Sequence, residues 1–65
     1  MTTDSSYSIV NANAVDRARL ADAVRPLRRR FGADNIDRVW VQADANWMEV
    51  RLLDGQKHII EYDFT

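Results

Sequence analysis

The sequence predicts an α+β domain in which one helix packs against an antiparallel sheet. Residues 38–64 alternate apolar and polar side chains almost without a break, which is the pattern of a half-buried sheet. Residues 13–31 carry their apolar side chains at helical spacing instead. The chain has 65 residues and no cysteine, so we expect a single hydrophobic core without disulfide support.

The first residues divide into a polar tail and a short strand. Residues 1–6 show no periodic pattern, and we expect a loose tail there. The segment Tyr7-Ser-Ile-Val-Asn11 is rich in strand-forming residues and predicts a short strand. The single α+β domain is therefore expected to span residues 7–65.

Residues 13–31 are predicted to form the one helix. Asn13 can cap the first turn, with Asp16 reaching back to it. Arginines crowd the last turn, where they oppose the negative end of the helix dipole, and Gly32 suits the position after it. The apolar stripe that should face the sheet consists of Leu20, Val24, Leu27 and Phe31.

Pro26 lies within this predicted helix. A proline there removes the hydrogen bond to the carbonyl of Asp22. On a helical projection Pro26 lies opposite Leu20 and Phe31, toward solvent, where water can bind that carbonyl. The helix could instead end at Arg25 and restart with Pro26 in its first turn. We favour one helix with a kink near Pro26.

Three strands are predicted over residues 38–43, 47–53 and 57–64, joined as an antiparallel meander. A two-residue turn in the second hairpin would place core positions opposite charged residues. A three-residue loop ending at Gly55 pairs Val50 with His58 and lets the glycine adopt a positive φ. We predict the second register, because paired residues must share a face of the sheet.

Alternation along the strands then assigns their side chains to two faces. The inner face, which the helix should cover, carries Val39, Val41, Met48, Val50, Leu52, Ile60, Tyr62 and Phe64. The outer face carries Arg38, Trp40, Gln42, Trp47, Glu49, Arg51, Ile59 and Glu61. Both tryptophans are thus expected outside the helix-covered core.

Two large aromatic rings on an outer face require an explanation, since exposed apolar patches mark binding sites. Tryptophan is enriched at the centres of protein interfaces, so the rings could bind a protein partner. Two alternatives remain open. The first strand or the N-terminal tail, with Tyr7 and Ile9, could fold over the tryptophans, or two copies of the chain could pair through this face as a homodimer.

Charge is unevenly distributed along the chain. Residues 12–32 hold six arginines and two aspartates, whereas residues 33–65 hold three basic and seven acidic side chains. Carboxylates on a surface can occupy the arginines and lysines of a basic partner, although they also serve solubility. Together with the outer-face residues, the predicted protein-binding set is Trp40, Trp47, Glu49, Arg51, Ile59, Glu61, Asp34, Asp37, Asp44, Asp54 and Asp63.

The alternative functions are a homo-oligomeric structural protein and a small nucleic-acid-binding or transcription-regulatory domain. The second would use the arginine-rich helix, through Arg19, Arg25, Arg29 and Arg30. We expect Arg19, Arg25 and Arg30 to share one flank of the helix and Arg29 to face solvent. A net charge of −1 and a single lysine argue against general affinity for nucleic acid. We therefore rank this alternative below protein binding.

The sequence offers little for catalysis or metal binding. One histidine and no cysteine exclude the usual zinc and nucleophile sites, so we expect no enzyme activity, metal or cofactor. His58 is interpreted as a structural histidine on the inner face. Residues 1–6 do not resemble a secretory signal and no apolar run could cross a bilayer, so we expect a cytoplasmic location away from membranes.

The segment "SYSIVNANAV", which leads directly into a helix, and the acidic "GADNID…QADANWMEV…EYDF" half give this chain the composition of a known class of protein. In size, composition and architecture it resembles small phage-encoded inhibitors, above all the anti-CRISPR proteins. The resemblance implies a non-catalytic inhibitor that blocks a basic nucleic-acid groove on a CRISPR effector. It includes no shared motif, so it assigns no functional residue.

A second resemblance rests on the segment "WMEVRLLDGQKHIIEYD". It is similar to the helix-plus-hairpin pattern of PepSY-type domains. Those domains are commonly exported, and no signal is recognised in this chain.

Overall fold

A computed structural model describes residues 7–64, and the predicted tail over residues 1–6 lies outside the described residues. The described elements are β1 (Ser8–Val10), α1 (Arg17–Phe31), β2 (Ile36–Gln42), β3 (Trp47–Leu52) and β4 (Lys57–Glu61). Single 3-10 turns at Ala33–Asn35 and Ala43–Ala45 precede β2 and β3. The strands form one sheet in the order β1-β2-β3-β4, and the predicted α+β class is confirmed.

The first strand joins the sheet in parallel with β2. Ser8 pairs with Arg38 and Val10 with Trp40, while β2, β3 and β4 form the predicted antiparallel meander. The parallel pairing arises because α1 carries the chain back across the sheet before β2 begins. Asn11, at a φ of 64°, donates from Nδ2 to the carbonyl of Val41 at 2.9 Å and ties the end of β1 to β2.

The register predicted for the second hairpin is confirmed. Val50 pairs with His58, so the intervening loop has three residues rather than two. The amide of Gly55 donates to the carbonyl of Leu52 at 3.0 Å, and Gly55 has a φ of 95°, which only glycine adopts easily. The loop therefore fixes which side chains of β4 face the helix.

The predicted start of the helix is wrong by one turn. Asn13 lies in a turn ahead of the helix, and the cap is Asp16. Its Oδ2 accepts from the amides of Ala18 at 3.1 Å and Arg19 at 3.4 Å. Both Asn13 and Asp16 are good capping residues, and the sequence pattern did not distinguish them.

Pro26 lies inside a continuous helix, so the alternative of a break at Arg25 is wrong. Its side chain is exposed, as expected, and water can reach the carbonyl that the proline leaves without a donor. The kink itself stays a prediction. The helix ends at Gly32, whose φ is 85°, and Asn35 donates from Nδ2 to the carbonyl of Phe31 at 2.9 Å.

The core lies between α1 and the inner face of the sheet. Val39, Val41 and Val50 are fully buried, as alternation predicts. Ala23 and Leu27 supply the centre of the helix contact. Burying a valine or leucine side chain contributes about 1.5–3 kcal/mol, so each of these residues has a large effect on the stability of so short a chain.

Ile36 is a core residue that alternation alone misassigns. Its even number would place it with Arg38 on the outer face, yet it is fully buried. The register shifts between Ile36 and Arg38, because Asp37 forms a β-bulge opposite β3. A bulge inserts one residue and reverses the parity of everything before it.

Replacing Asp16 with alanine tests the observed start of α1. The variant loses the acceptor for two helix amides, and we expect the free energy of unfolding to fall by about 1 kcal/mol in a urea titration. The matched control is Asn13→Ala, which should change the free energy by less than about 0.5 kcal/mol. A larger loss in Asn13→Ala than in Asp16→Ala would show that the helix begins at Asn13.

Candidate functional site

The outer face of the sheet carries three rows of side chains, each running across neighbouring strands. The register of the strands defines the rows. We call the whole surface the Trp face. Its first row is Ser8, Arg38, Arg51 and Lys57, its second is Val10, Trp40, Glu49 and Ile59, and its third is Gln42, Trp47 and Glu61.

Large apolar side chains remain exposed on the Trp face. Trp40 is 39% exposed and Ile59 is 61% exposed, and Trp47 is half-buried. Tyr7 packs against the core on the other side of the sheet, and Ile9 shares the face of Val39. The alternative in which the first strand, with Tyr7 and Ile9, folds over the tryptophans is therefore wrong, because β1 lies beside β2 rather than across it. The same alternative for the tail over residues 1–6 lies outside the described residues.

A chain of hydrogen bonds holds the indole ring of Trp40 in place. Its Nε1 donates to Oε1 of Gln42 at 3.0 Å, and Nε2 of Gln42 donates to Oδ1 of Asp44 at 2.8 Å. Trp40, Gln42 and Asp44 are spaced two positions apart, so their side chains follow one another along the same side of β2 and the turn after it. A ring held in this way loses little conformational entropy when it is covered.

Two hollows flank the exposed rings. One, of about 200 Å³, is lined by Arg38, Trp40, Glu49 and Arg51. The other, of about 480 Å³, lies between Trp47 and Ile59. The exposed rings thus border open depressions of the surface.

The first row places three positive charges side by side. Arg38 lies opposite Arg51, and Arg51 lies opposite Lys57. Within residues 7–64 none of the three forms an ion pair, and the pair that does form joins Arg25 and Asp22 on the helix. Like charges directly opposite one another destabilise a sheet. Glu49 lines the same hollow as Arg38 and Arg51 and offsets part of this charge, and we call Arg38, Arg51 and Lys57 the basic row.

The predicted acidic residues do not form one patch. Asp34, Asp37 and Asp54 lie at one end of the sheet, where the amide of Leu53 donates to the carbonyl of Asn35 at 2.9 Å. We call these three aspartates the first acidic rim.

The other end of the sheet carries the second acidic rim, Asp44 and Asp63. Asn46, with a φ of 59°, brings them together by accepting from the amides of Tyr62 and Phe64, each at 3.1 Å. Both aspartates are exposed. The two rims thus border the Trp face, while Glu49 and Glu61 lie on the face itself.

The helix arginines separate onto two flanks, so the expected grouping of Arg19, Arg25 and Arg30 is wrong. Arg19 donates from Nη1 to the carbonyl of Asp63 at 3.1 Å, toward the β4 side. Arg25 lies on the β1 side, where it pairs with Asp22 at 3.1 Å. Arg19 and Arg30 are eleven residues apart, which is about three helical turns, so these two share a flank of the helix. Arg25 projects from a different flank.

The remaining arginines of the predicted nucleic-acid surface have separate surroundings. The guanidinium of Arg30 lies 5.0 Å from the ring centre of Phe31, which is a cation–π contact. Arg29 is exposed, as expected. These positions do not give the four predicted residues a shared track for phosphates.

His58 occupies the inner face, as the register predicts. Its ring centre lies 4.8 Å from that of Phe31, and Nε2 lies 3.3 Å from Oε1 of Gln56. These contacts fit the structural interpretation of this histidine. Among the described residues, no group of three or more histidine, cysteine or acidic side chains could hold a metal ion.

Comparison with known proteins assigns no family to this chain. No protein-family model, characterised protein or solved structure matches this chain. No helix in the described part of the chain is long and apolar enough to span a membrane.

The basic row generates a prediction about stability. In Lys57→Glu the new carboxylate lies directly opposite Arg51, so we expect the free energy of unfolding to rise by about 0.5 kcal/mol at low salt. Lys57→Gln should give a smaller gain, because it removes repulsion without adding attraction. Urea titrations at low and high salt measure the free energy of unfolding of both variants. Added salt should reduce the difference in this free energy between Lys57→Glu and Lys57→Gln. A lower stability in Lys57→Glu than in Lys57→Gln would show that Arg51 is already neutralised.

Proposed function

We propose that this domain is a non-catalytic protein-binding module that acts as an inhibitor or adaptor by covering a surface of its partner. One observation carries the proposal. Trp40 and Ile59 are exposed in the same row of the Trp face, and the indole ring is held in place by Gln42. Such rings contribute most of the affinity when a partner excludes water from them.

The size of the face supports a role for the two acidic rims as well. Strands lie about 4.8 Å apart and rise about 3.3 Å per residue, so the exposed face measures about 300 Å². A stable protein interface buries about 800 Å² on each partner. The partner must therefore extend over the ends of the sheet and contact the acidic rims.

Charge specifies the partner further. The first rim, Asp34, Asp37 and Asp54, and the second rim, Asp44 and Asp63, suit a partner with basic surroundings. The basic row on the face suits a few carboxylates nearer the centre. The proposed partner surface is thus a basic region with an apolar centre and acidic side chains beside it.

A groove that binds nucleic acid is one surface of this kind. Carboxylates on the rims would compete with phosphates for its arginines and lysines. The resemblance to anti-CRISPR proteins supports a CRISPR effector subunit as this partner, with inhibition taking place in the host cytoplasm. Because the resemblance assigns no functional residue, the residues to be tested are chosen from the contacts described above.

The sharpest test uses purified CRISPR effector complexes and measures how the protein changes their binding to target DNA. We expect the wild-type protein to weaken DNA binding by one effector. The double variant Trp40→Ala, Ile59→Ser should lose on the order of 30-fold in inhibitory potency, since interface centres contribute 2 kcal/mol or more. Arg29→Ala is the control, because Arg29 is exposed on the helix, on the other side of the sheet from the Trp face and both acidic rims.

Four outcomes would contradict the proposal. Unchanged DNA binding by every effector would reject the CRISPR partner, and equal inhibition by the double variant would reject the Trp face. Direct DNA binding that is lost in Arg19→Glu, Arg25→Glu and Arg29→Glu together would favour the nucleic-acid alternative. Light scattering that shows a dimer, dissociated by Trp40→Ala, would assign the face to a second copy of the chain.

A further inference from the structure

A second recessed surface lies on the helix side of the sheet, away from the Trp face. It is a groove of about 340 Å³ between β1 and α1. Its base is apolar and includes Ile9, Leu20 and Val24. Ile9 is 39% exposed although it shares the face of the buried Val39, because β1 is the edge strand and α1 does not cover it completely.

Three arginines, Arg17, Arg25 and Arg28, border this groove. Arg17 and Arg28 are eleven residues apart, which is close to three helical turns, so they lie above one another about 16 Å apart along the helix axis. Within residues 7–64 neither forms an ion pair. Arg25 pairs with Asp22, but both side chains are about 60% exposed and such a pair contributes little. The groove thus joins an apolar base to an unneutralised basic border.

The edge of β1 supplies a third feature. This strand has three residues and pairs with β2 on one side only, so part of its backbone faces away from the sheet. An extended peptide can add to such an edge through main-chain hydrogen bonds. Alternate side chains of that peptide would then point to the helix side, over the groove.

We infer that this groove binds an extended peptide of a partner protein, in which an apolar side chain is flanked on the same face by two carboxylates. The apolar side chain contacts Ile9, Leu20 and Val24. Carboxylates two positions before and after it lie about 13 Å apart and face Arg17 and Arg28, whose long side chains bridge the remaining distance. This site lies on the opposite side of the sheet from the Trp face, so it goes beyond the proposed function and gives the domain two binding surfaces.

A peptide fits this groove better than single-stranded nucleic acid does. Nucleic-acid channels combine basic residues with exposed aromatic rings on which bases stack. Here Tyr7 is the one aromatic residue of the lining, and its half-buried ring also packs against the core, whereas the base of the groove is otherwise aliphatic. Branched aliphatic side chains favour an apolar side chain of a peptide.

The test uses a labelled peptide, Thr-Glu-Thr-Leu-Thr-Glu-Thr, and its isomer Thr-Thr-Glu-Leu-Glu-Thr-Thr. Both have the same composition and charge, but only the first presents leucine and glutamates on one face of a strand. We expect the first peptide to bind and the isomer to bind at least about tenfold more weakly, since its carboxylates point away from the arginines. Fluorescence anisotropy measures both affinities on the full chain.

Two protein variants with equal loss of charge locate the site. Arg17→Gln with Arg28→Gln should weaken binding of the first peptide by about tenfold or more. Arg19→Gln with Arg30→Gln, on the other flank, should leave it nearly unchanged. Urea titration shows whether each variant folds, and amide NMR shifts of the wild type on peptide addition should centre on Ser8–Val10 and α1.

Five results would overturn the inference. The first four are no binding of the first peptide, equal binding of the two isomers, an equal loss in both double variants, and NMR shifts confined to the Trp face. Tighter binding of oligothymidine than of the peptide, with the same dependence on Arg17 and Arg28, would assign the groove to nucleic acid instead.

Discussion

The alternation of side chains from Arg38 onward through β2, β3 and β4 is the constraint on which the rest of the structure depends. It places Val39, Val41 and Val50 beneath the helix and Trp40 on the opposite surface. A register slip of one residue would exchange these sets, with valines in water and an indole ring against the helix. The positive φ of Asn46 and Gly55 in the two hairpin loops holds the register. Core and candidate site thus arise from the same feature of the backbone.

Much of the fold could be predicted because alternation and turn chemistry are local. Gly55 determined the length of the second loop, and that length determined the pairing of Val50 with His58. The parts that were wrong or missed depend on non-local contacts or on competition between equal candidates. Asn13 and Asp16 are both suitable caps, and only packing decides between them. The bulge at Asp37 leaves no clear pattern in the sequence and conceals the burial of Ile36.

The candidate site could be predicted in part. The exposure of Trp40 and Ile59 follows from alternation alone. The positions of the charged side chains relative to one another could be found only once the register of every strand was known. Once strands are paired, Arg38, Arg51 and Lys57 form a basic row that charge counts by segment do not reveal. The acidic residues likewise separate into two rims, because loops far apart in sequence meet at the ends of the sheet. A single sheet then divides the molecule into the Trp face on one side and the helix groove on the other.

Nuclear Overhauser contacts from the methyl groups of Ala23 and Leu27 test this account most directly, because these helix residues lie at the centre of the core. The structure predicts contacts to the methyl groups of the inner-face valines, Val39, Val41 and Val50, and none to either indole ring. Strong contacts from Ala23 and Leu27 to the rings of Trp40 and Trp47 would contradict it. The assignment of faces would then be reversed, and the surface proposed for partner binding would be part of the core.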